Sequence, residues 1–329
     1  MSGRAESMSR KKIQNQIVPK KPAANGNAAP VGRRVARGTA GRGKPPVVSG
    51  RWLLAALCAT IAGAAVCCWL ALCLLFWQGS WQLLYHPASA VTRTPASAGL
   101  PFDRVAFATT DTGVSRLKGW WIPAPQGAAH ARFTLIYLHG QDGNIGDAVD
   151  ALARVHDAGV NVLAFDYRGY GDSQQTRPSE RNWRQDAEWA LEYLTGTRHI
   201  DAGSIVLDGA GLGANLALEV GAEHSELAGV VVDSPLQDPV GAIFNDARAR
   251  MVPARLLVRD RYDLDAATAT LRMPLLWFAR TDATGATKDP EAYKKAAAKK
   301  IIVWLNPTDD MYKQTEDALS RWLDLLTAR

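Results

Sequence analysis

Between Trp52 and Trp77 the chain runs for 26 residues, WLLAALCATIAGAAVCCWLALCLLFW, without a charged side chain. About 20 apolar residues in a helix cross the hydrocarbon layer of a bilayer. The run therefore predicts a membrane-spanning helix, and the rest of the chain must fold around it. Trp52, Trp69, Trp77 and Trp81 supply indoles of the kind that gather at membrane interfaces, and Arg51 marks the basic flank that stays in the cytoplasm. The expected arrangement is single-pass in the cell (inner) membrane, with the N-terminus cytoplasmic and the C-terminal part outside. A cleaved signal peptide is the rival reading, since Ala88-Ser89-Ala90 has a cleavage-like pattern. Signal h-regions are only ~7–15 residues and their cut site follows closely, which favours the span. All four cysteines, Cys58, Cys67, Cys68 and Cys73, lie inside the run. The remainder thus has no disulfide, no thiolate nucleophile and no thiolate metal site.

The net charge of +6 has the sign of a nucleic-acid binder, but its distribution excludes that function. Residues 1–51 hold 12 of the 38 Lys and Arg and only one acid, Glu6; the remainder keeps 26 basic against 31 acidic side chains, a net −5. No cationic footprint for a phosphate backbone is left there. The basic segment, rich in Ala, Gly and Pro, has too little apolar content to offset the entropy of ordering, so 1–51 is expected to be a disordered tail. The span takes 52–77, a linker 78–97, and one domain 98–329.

Within that domain, short apolar runs alternate with longer amphipathic stretches. Strands are expected near Phe102–Thr109, Arg116–Ile122, Phe133–Leu138, Asn161–Asp166, Ser204–Asp208, Gly229–Val232, Pro274–Ala279 and Lys300–Leu305. Buried strands separated by helices imply an α/β fold with a mainly parallel sheet of about eight strands and helices on both faces. Functional groups then belong on the loops beyond the strands' carboxyl ends. The interval 239–271, with Arg248, Arg250, Arg255, Arg259 and Arg261, interrupts the alternation and reads as a small helical cap.

The strings YLHGQDGN (Tyr137–Asn144) and FDYRGYGDS (Phe165–Ser173), with GWWIPAP, VVDSPLQD and PLLWFAR, resemble the α/β-hydrolase superfamily, closest to its membrane-anchored serine-aminopeptidase-like group. The resemblance covers about Trp81 to Leu326 and implies a serine–acid–histidine triad, with the serine at the centre of G-x-S-x-G. Here that turn reads Gly209-Ala210-Gly211-Leu212-Gly213, so the nucleophile position is Gly211. Aligned on the following strands, the acid falls at Ala283 and the histidine at Asp309. No histidine follows His224, so no shift of alignment supplies the base. A triad works as a unit, and without it the chain is expected to be a degenerate, catalytically inactive member that binds or scaffolds. The resemblance further implies an oxyanion loop at His139, Gly140 and Gln141, completed by the Leu212 amide, where a carbonyl or anion still binds. In that scheme His139 is structural, and so is Ser234 in VVDSP.

Asp142, Asp208, Asp282, Asp309 and Asp310 are expected on the cleft's loops, where they form either an acidic site for a cation, an amine or a basic partner, or ordinary turn caps. No cofactor and no resident metal are expected. The expected partners are the membrane and an unidentified ligand or protein at the vestigial cleft, with no nucleic acid. Two alternatives stay open: a divergent esterase- or peptidase-like hydrolase using carboxylate-activated water, and a structural anchor that makes no use of the cleft.

Overall fold

In the computed structural model, residues 48–281, 285–306 and 310–328 are described. Most of the basic tail, the expected acid position Ala283 with Asp282, and the expected histidine position Asp309 lie outside the described residues. The chain divides between Leu57 and Cys58 into two units; the fold below belongs to the second.

The strands are β1 (His86–Pro87), β2 (Asp103–Thr109), β3 (Ser115–Ile122), β4 (Thr134–Leu138), β5 (Asp142–Gly143), β6 (Asn161–Asp166), β7 (Ile205–Ala210), β8 (Gly229–Asp233), β9 (Leu275–Arg280) and β10 (Lys300–Leu305). The α-helices are α1 (Gly50–Gly79), α2 (Val149–Asp157), α3 (Glu180–Glu192), α4 (Leu212–Glu223), α5 (Pro239–Ile243), α6 (Ala254–Leu257), α7 (Leu264–Thr270), α8 (Glu291–Lys295) and α9 (Met311–Thr327). Eight strands form one sheet in the order β10-β9-β8-β7-β4-β6-β3-β2. Only β3 runs against the others, pairing antiparallel with β2 and with β6; β4 pairs in parallel with both β6 and β7, placing it at the centre. All eight strands expected from the sequence are present, with ends shifted by two residues at most.

Central strands read as continuous apolar runs because helices cover both faces. Along β7, Ile205 and Leu207 join the core formed with Trp183 of α3 and Leu212, Leu216 and Val220 of α4. Val206 points the other way, into a core with Val149 and Leu152 of α2 and Leu319, Trp322 and Leu323 of α9. Side chains two apart share a face, which puts Asp208 on the α2–α9 side.

Two stretches differ from expectation. Residues 78–97, expected as a linker, are folded against the domain: Leu84 and Tyr85 are buried in the α3–α4 core, and β1 pairs in parallel with β5. The interval 239–271 holds a cap only as far as Val258, made of α5, a 3₁₀ turn (Ala247–Arg250) and α6 around Ile243, Ala249, Ala254 and Val258. The next helix, α7, packs through Leu264, Ala267 and Leu271 into the α3–α4 core and is a layer helix of the sheet.

Helix α1, continued by a 3₁₀ turn to Leu83, is the one described helix long and apolar enough to cross a membrane. Its large apolar side chains from Trp52 to Leu75 are mostly exposed.

Candidate active-site cleft

The turn between β7 and α4 keeps the backbone of a nucleophile elbow. Gly211 sits at its apex with φ 57° and ψ −123°, and its N–H donates to the carbonyl of Asp233 at the end of β8, 2.9 Å away. Non-glycine residues rarely adopt this conformation, and where they do the strain is held by surrounding structure. The flanking glycines are needed for packing. A Cβ on Gly213 would collide with the carbonyls of Leu138 and His139, and one on Gly209 with the backbone of Gly213 and Ala214. At Gly211 the space is open: a Cβ would meet only the Gln141 side chain at 3.1 Å, with Gly140 and Leu236 at 3.8 Å and 4.0 Å.

That Gln141 side chain changes the reading of the oxyanion loop. Its Oε1 accepts a hydrogen bond from the Leu212 N–H (3.2 Å), and its Nε2 donates to Asp142 Oδ2 (3.0 Å). Asp142 Oδ1 in turn lies 2.7 Å from His86 Nδ1. The amide's orientation is fixed from both ends, since Leu212 offers only a donor and Asp142 only acceptors. The Leu212 N–H, expected as an oxyanion donor, is therefore occupied by the protein's own amide carbonyl. Outside the plug, the Gln141 backbone carbonyl accepts from His86 N–H (2.9 Å) and Tyr170 O–H (2.8 Å), tying the loop to β1 and to the core.

His139 is buried beneath the loop. Its Nδ1 is 2.8 Å from the Gly140 carbonyl, its ring packs against Tyr167 and Tyr170, and burial lowers its pKa to about 4. The FDYRGYGDS segment buttresses the same loop. Asp166 accepts from the Ile145 N–H at 2.8 Å, and burial raises its pKa to about 7. Arg168 pairs with the fully buried Asp186 at 2.5 Å, and Ser173 links β6 to β3 by donating to the Asp166 carbonyl and accepting from the Lys118 N–H. Three of the four remaining histidines have local partners: His130 with Asp324, His156 with the Pro123 carbonyl, His224 with Glu188 and Glu226.

The expected acidic mouth is not what the described residues form. Asp208 does not open a loop: β7 continues to Ala210, and pleating turns this carboxyl onto the α2 side, where burial first and the neighbouring Asp233 second raise its pKa to about 7. Asp310 caps the N-terminus of α9 by accepting from Lys313 N–H (3.2 Å). Asp142 is committed to His86 and Gln141. Among the described residues no group of three His, Cys, Asp or Glu side chains is placed to hold a metal ion.

Sequence reasoning missed the basic side of the cleft. Arg280, the last residue of β9, bridges to Asp233 at 2.9 Å and to the Ser234 hydroxyl, which itself donates to Asp233 Oδ1 at 2.8 Å. Ser234 is thus hydrogen-bonded by an ion pair rather than by a base, and its left-handed φ of 51° belongs to the turn that carries it. The PLLWFAR string named Arg280 without revealing that Asp233 faces it across parallel strands.

A central parallel sheet flanked on both faces, a β7–α4 elbow and an oxyanion-type loop after β4 define an α/β hydrolase. Residues 129–327, more than half the chain, match the serine aminopeptidase S33 family, and the protein belongs to that family. An uncharacterized protein of Mycobacterium tuberculosis is 30% identical over 205 residues, 62% of this chain and 69% of that protein. The uncharacterized protein YfhR of Salmonella typhi is 29% identical over 201 residues, covering 57% of this chain and 65% of its own. Among solved structures, an esterase from Pyrococcus furiosus aligns with a TM-score of 0.55 at 20% identity, over 73% of this chain and 98% of that one. A hypothetical protein from Pseudomonas aeruginosa aligns with a TM-score of 0.56 at 15% identity, over 73% and 98%. At these identities the two structures bear on the fold alone.

Proposed function

We propose that this protein is a membrane-anchored member of the family whose cleft binds a ligand or partner without hydrolysing it. The observation that carries the reading is the elbow itself: glycine at the apex, and the Gln141 amide seated on the Leu212 N–H. A glycine has no atom that can attack a carbonyl, and no histidine follows His224 in the chain to activate water or a hydroxyl. A ligand oxygen reaching Leu212 must displace Gln141, so the favoured ligands present a carbonyl, amide or carboxylate oxygen able to replace it. The carboxylate-activated-water alternative loses support because Asp208, the carboxyl nearest the elbow in sequence, is buried on the opposite face of the sheet from α4. The helix α1 supplies the anchor, with the basic tail cytoplasmic and the hydrolase-fold domain on the far side of the inner membrane.

Activity-based labelling with a fluorophosphonate, which requires an activated serine, tests the central claim. The full chain in membranes is expected to stay unlabelled beside an active serine hydrolase. Labelling that maps to any serine would overturn the non-hydrolytic reading.

A further inference from the structure

The cap meets the end of the apolar helix rather than the cleft. Phe76 of α1 is buried in the cap's own small core with Ile243, Ala249, Ala254 and Val258. Trp69 Nε1 donates to the Met251 carbonyl at 3.2 Å, and the Arg259 guanidinium stacks on Trp77, 4.0 Å from its ring centre. Between helix and cap runs a groove of about 290 Å³, lined by Leu72, Leu75, Phe76, Leu83, Met251 and Val252, with Arg248 at its edge. The apolar surface continues outward: Met251 is 61% exposed and Leu256 80%.

The length of the apolar run places this groove. Its 26 residues extend for about 39 Å as a helix, about 9 Å more than the hydrocarbon layer. Counted from the cap end of the helix, the surplus corresponds to the last six residues, Leu72–Trp77; the cap packs against Phe76 and Trp77 there and reaches one turn further to Trp69. An apolar groove and bare Met and Leu side chains at that depth face head groups and upper acyl chains rather than bulk water. The charge fits the same surroundings. Residues 244–261 carry five arginines and two aspartates, and among the described residues Arg250 and Arg259 have no carboxylate partner. Arginines set beside apolar side chains at a bilayer surface attract anionic head groups.

We propose that the cap lies in the membrane interface and that the α1–cap groove takes an acyl chain of an anionic phospholipid of the bilayer, its phosphate held by the cap arginines. This rests on the reading of α1 as the anchor. The site is separate from the Gly211 cleft, and it makes the cap a second, lipid-sensing contact with the membrane.

The test uses the full chain with its four native cysteines replaced by alanine and an environment-sensitive fluorophore attached through Leu256→Cys. The protein is reconstituted in vesicles of phosphatidylcholine alone or mixed with phosphatidylglycerol. Quenching by lipids brominated near the head group, with a blue-shifted emission that strengthens with phosphatidylglycerol, is the expected result. Arg250→Glu with Arg259→Glu is expected to abolish the phosphatidylglycerol dependence while the circular dichroism of the domain stays unchanged. Val252→Trp, which fills the groove, is expected to reduce the phosphatidylglycerol retained through purification, measured by mass spectrometry. Carbonate extraction keeps the two readings apart. If the protein is integral yet its fluorophore is quenched by aqueous iodide and untouched by brominated lipid, the lipid proposal falls and the anchor stands. Protein released by carbonate would remove the anchor itself. Quenching that depends on protein-to-lipid ratio instead of lipid type would assign the groove to a second copy of the chain and overturn the proposal.

Discussion

Replacing Asp208 by Asn should stabilise the protein in a pH-dependent way, and the size follows from where β7 puts this carboxyl. Asp208 is 6% exposed, faces the α2 side beneath the elbow, and has its pKa raised from 3.8 to about 7 by burial and then by Asp233, with Arg154 giving only partial relief. A folded pKa above the unfolded one means the native state holds a proton that the unfolded chain has already released. Its contribution is complete below the unfolded pKa of 3.8 and is lost as pH rises through about 7. Above that point the native state carries a buried, poorly compensated charge. The full difference corresponds to about 4 kcal/mol, and relaxation around the charge brings the expected gain from an uncharged isostere to about 2–4 kcal/mol. For a domain of this size that is a rise in midpoint of about 5–15 °C. Thermal unfolding of detergent-solubilised wild type and Asp208→Asn, followed by near-ultraviolet circular dichroism, is compared at about pH 5 and about pH 8.5. The gain should be full at the higher pH and roughly a third as large at the lower, where the unfolded carboxyl is already ionised. An equal gain at both would show that shape, not ionisation, sets the effect, and no gain at the higher pH would refute the argument.

The two glycines of the elbow should separate sharply. Gly213→Ala, driven into the Leu138 and His139 carbonyls, should cost several kcal/mol or prevent folding, on the scale of ~1–3 kcal/mol or more for overpacking, whereas Gly211→Ala should fold with a loss of about 1–2 kcal/mol from its left-handed φ. Expression and melting of the pair check this, and equal losses would remove the claim that only position 211 is sterically free. Arg168→Met leaves Asp186 buried without its partner; the loss, on the scale of 3–5 kcal/mol for a broken buried pair, should be larger at about pH 8 than at about pH 5, where the carboxyl takes up a proton. An alkaline-phosphatase fusion at Arg329 should be active outside the cell, and activity only from a cytoplasmic reporter there would reverse the orientation.

What the sequence disclosed and what it withheld divide along physical lines. The strands were legible because a doubly covered parallel sheet needs uninterrupted apolar runs such as TLIYL and GVVVD, and helices between them have a different period. The elbow was legible because close approach of α4 to β4 admits only glycine at 213, and its close approach to β7 only glycine at 209. Hidden in the sequence were pairings that depend on register and rotamer: Arg280 with Asp233 across two strands, and Gln141 folding back onto Leu212. Asp208 was misplaced for a related reason, since one residue of uncertainty at a strand end moves a side chain to the other face. The cap's extent was overread because α7, rich in Ala and Thr, lacks a strong apolar stripe, although it packs on α4.

The union of β1 with β5 ties the loop that presents Gln141 to the segment following α1. His86 and Pro87 follow α1 by only a few residues, and they are hydrogen-bonded into the loop that presents Gln141. A domain on a slack tether sweeps a hemisphere and samples its surroundings from many angles. On the proposal that α1 is the anchor, this short and hydrogen-bonded connection would hold the cleft's loop close to the helix end instead. A ligand of the proposed cleft would then meet it within a narrow range of distances from the membrane surface. Lengthening the chain between Ser80 and Tyr85 would widen that range and loosen the Gln141 plug in the same stroke.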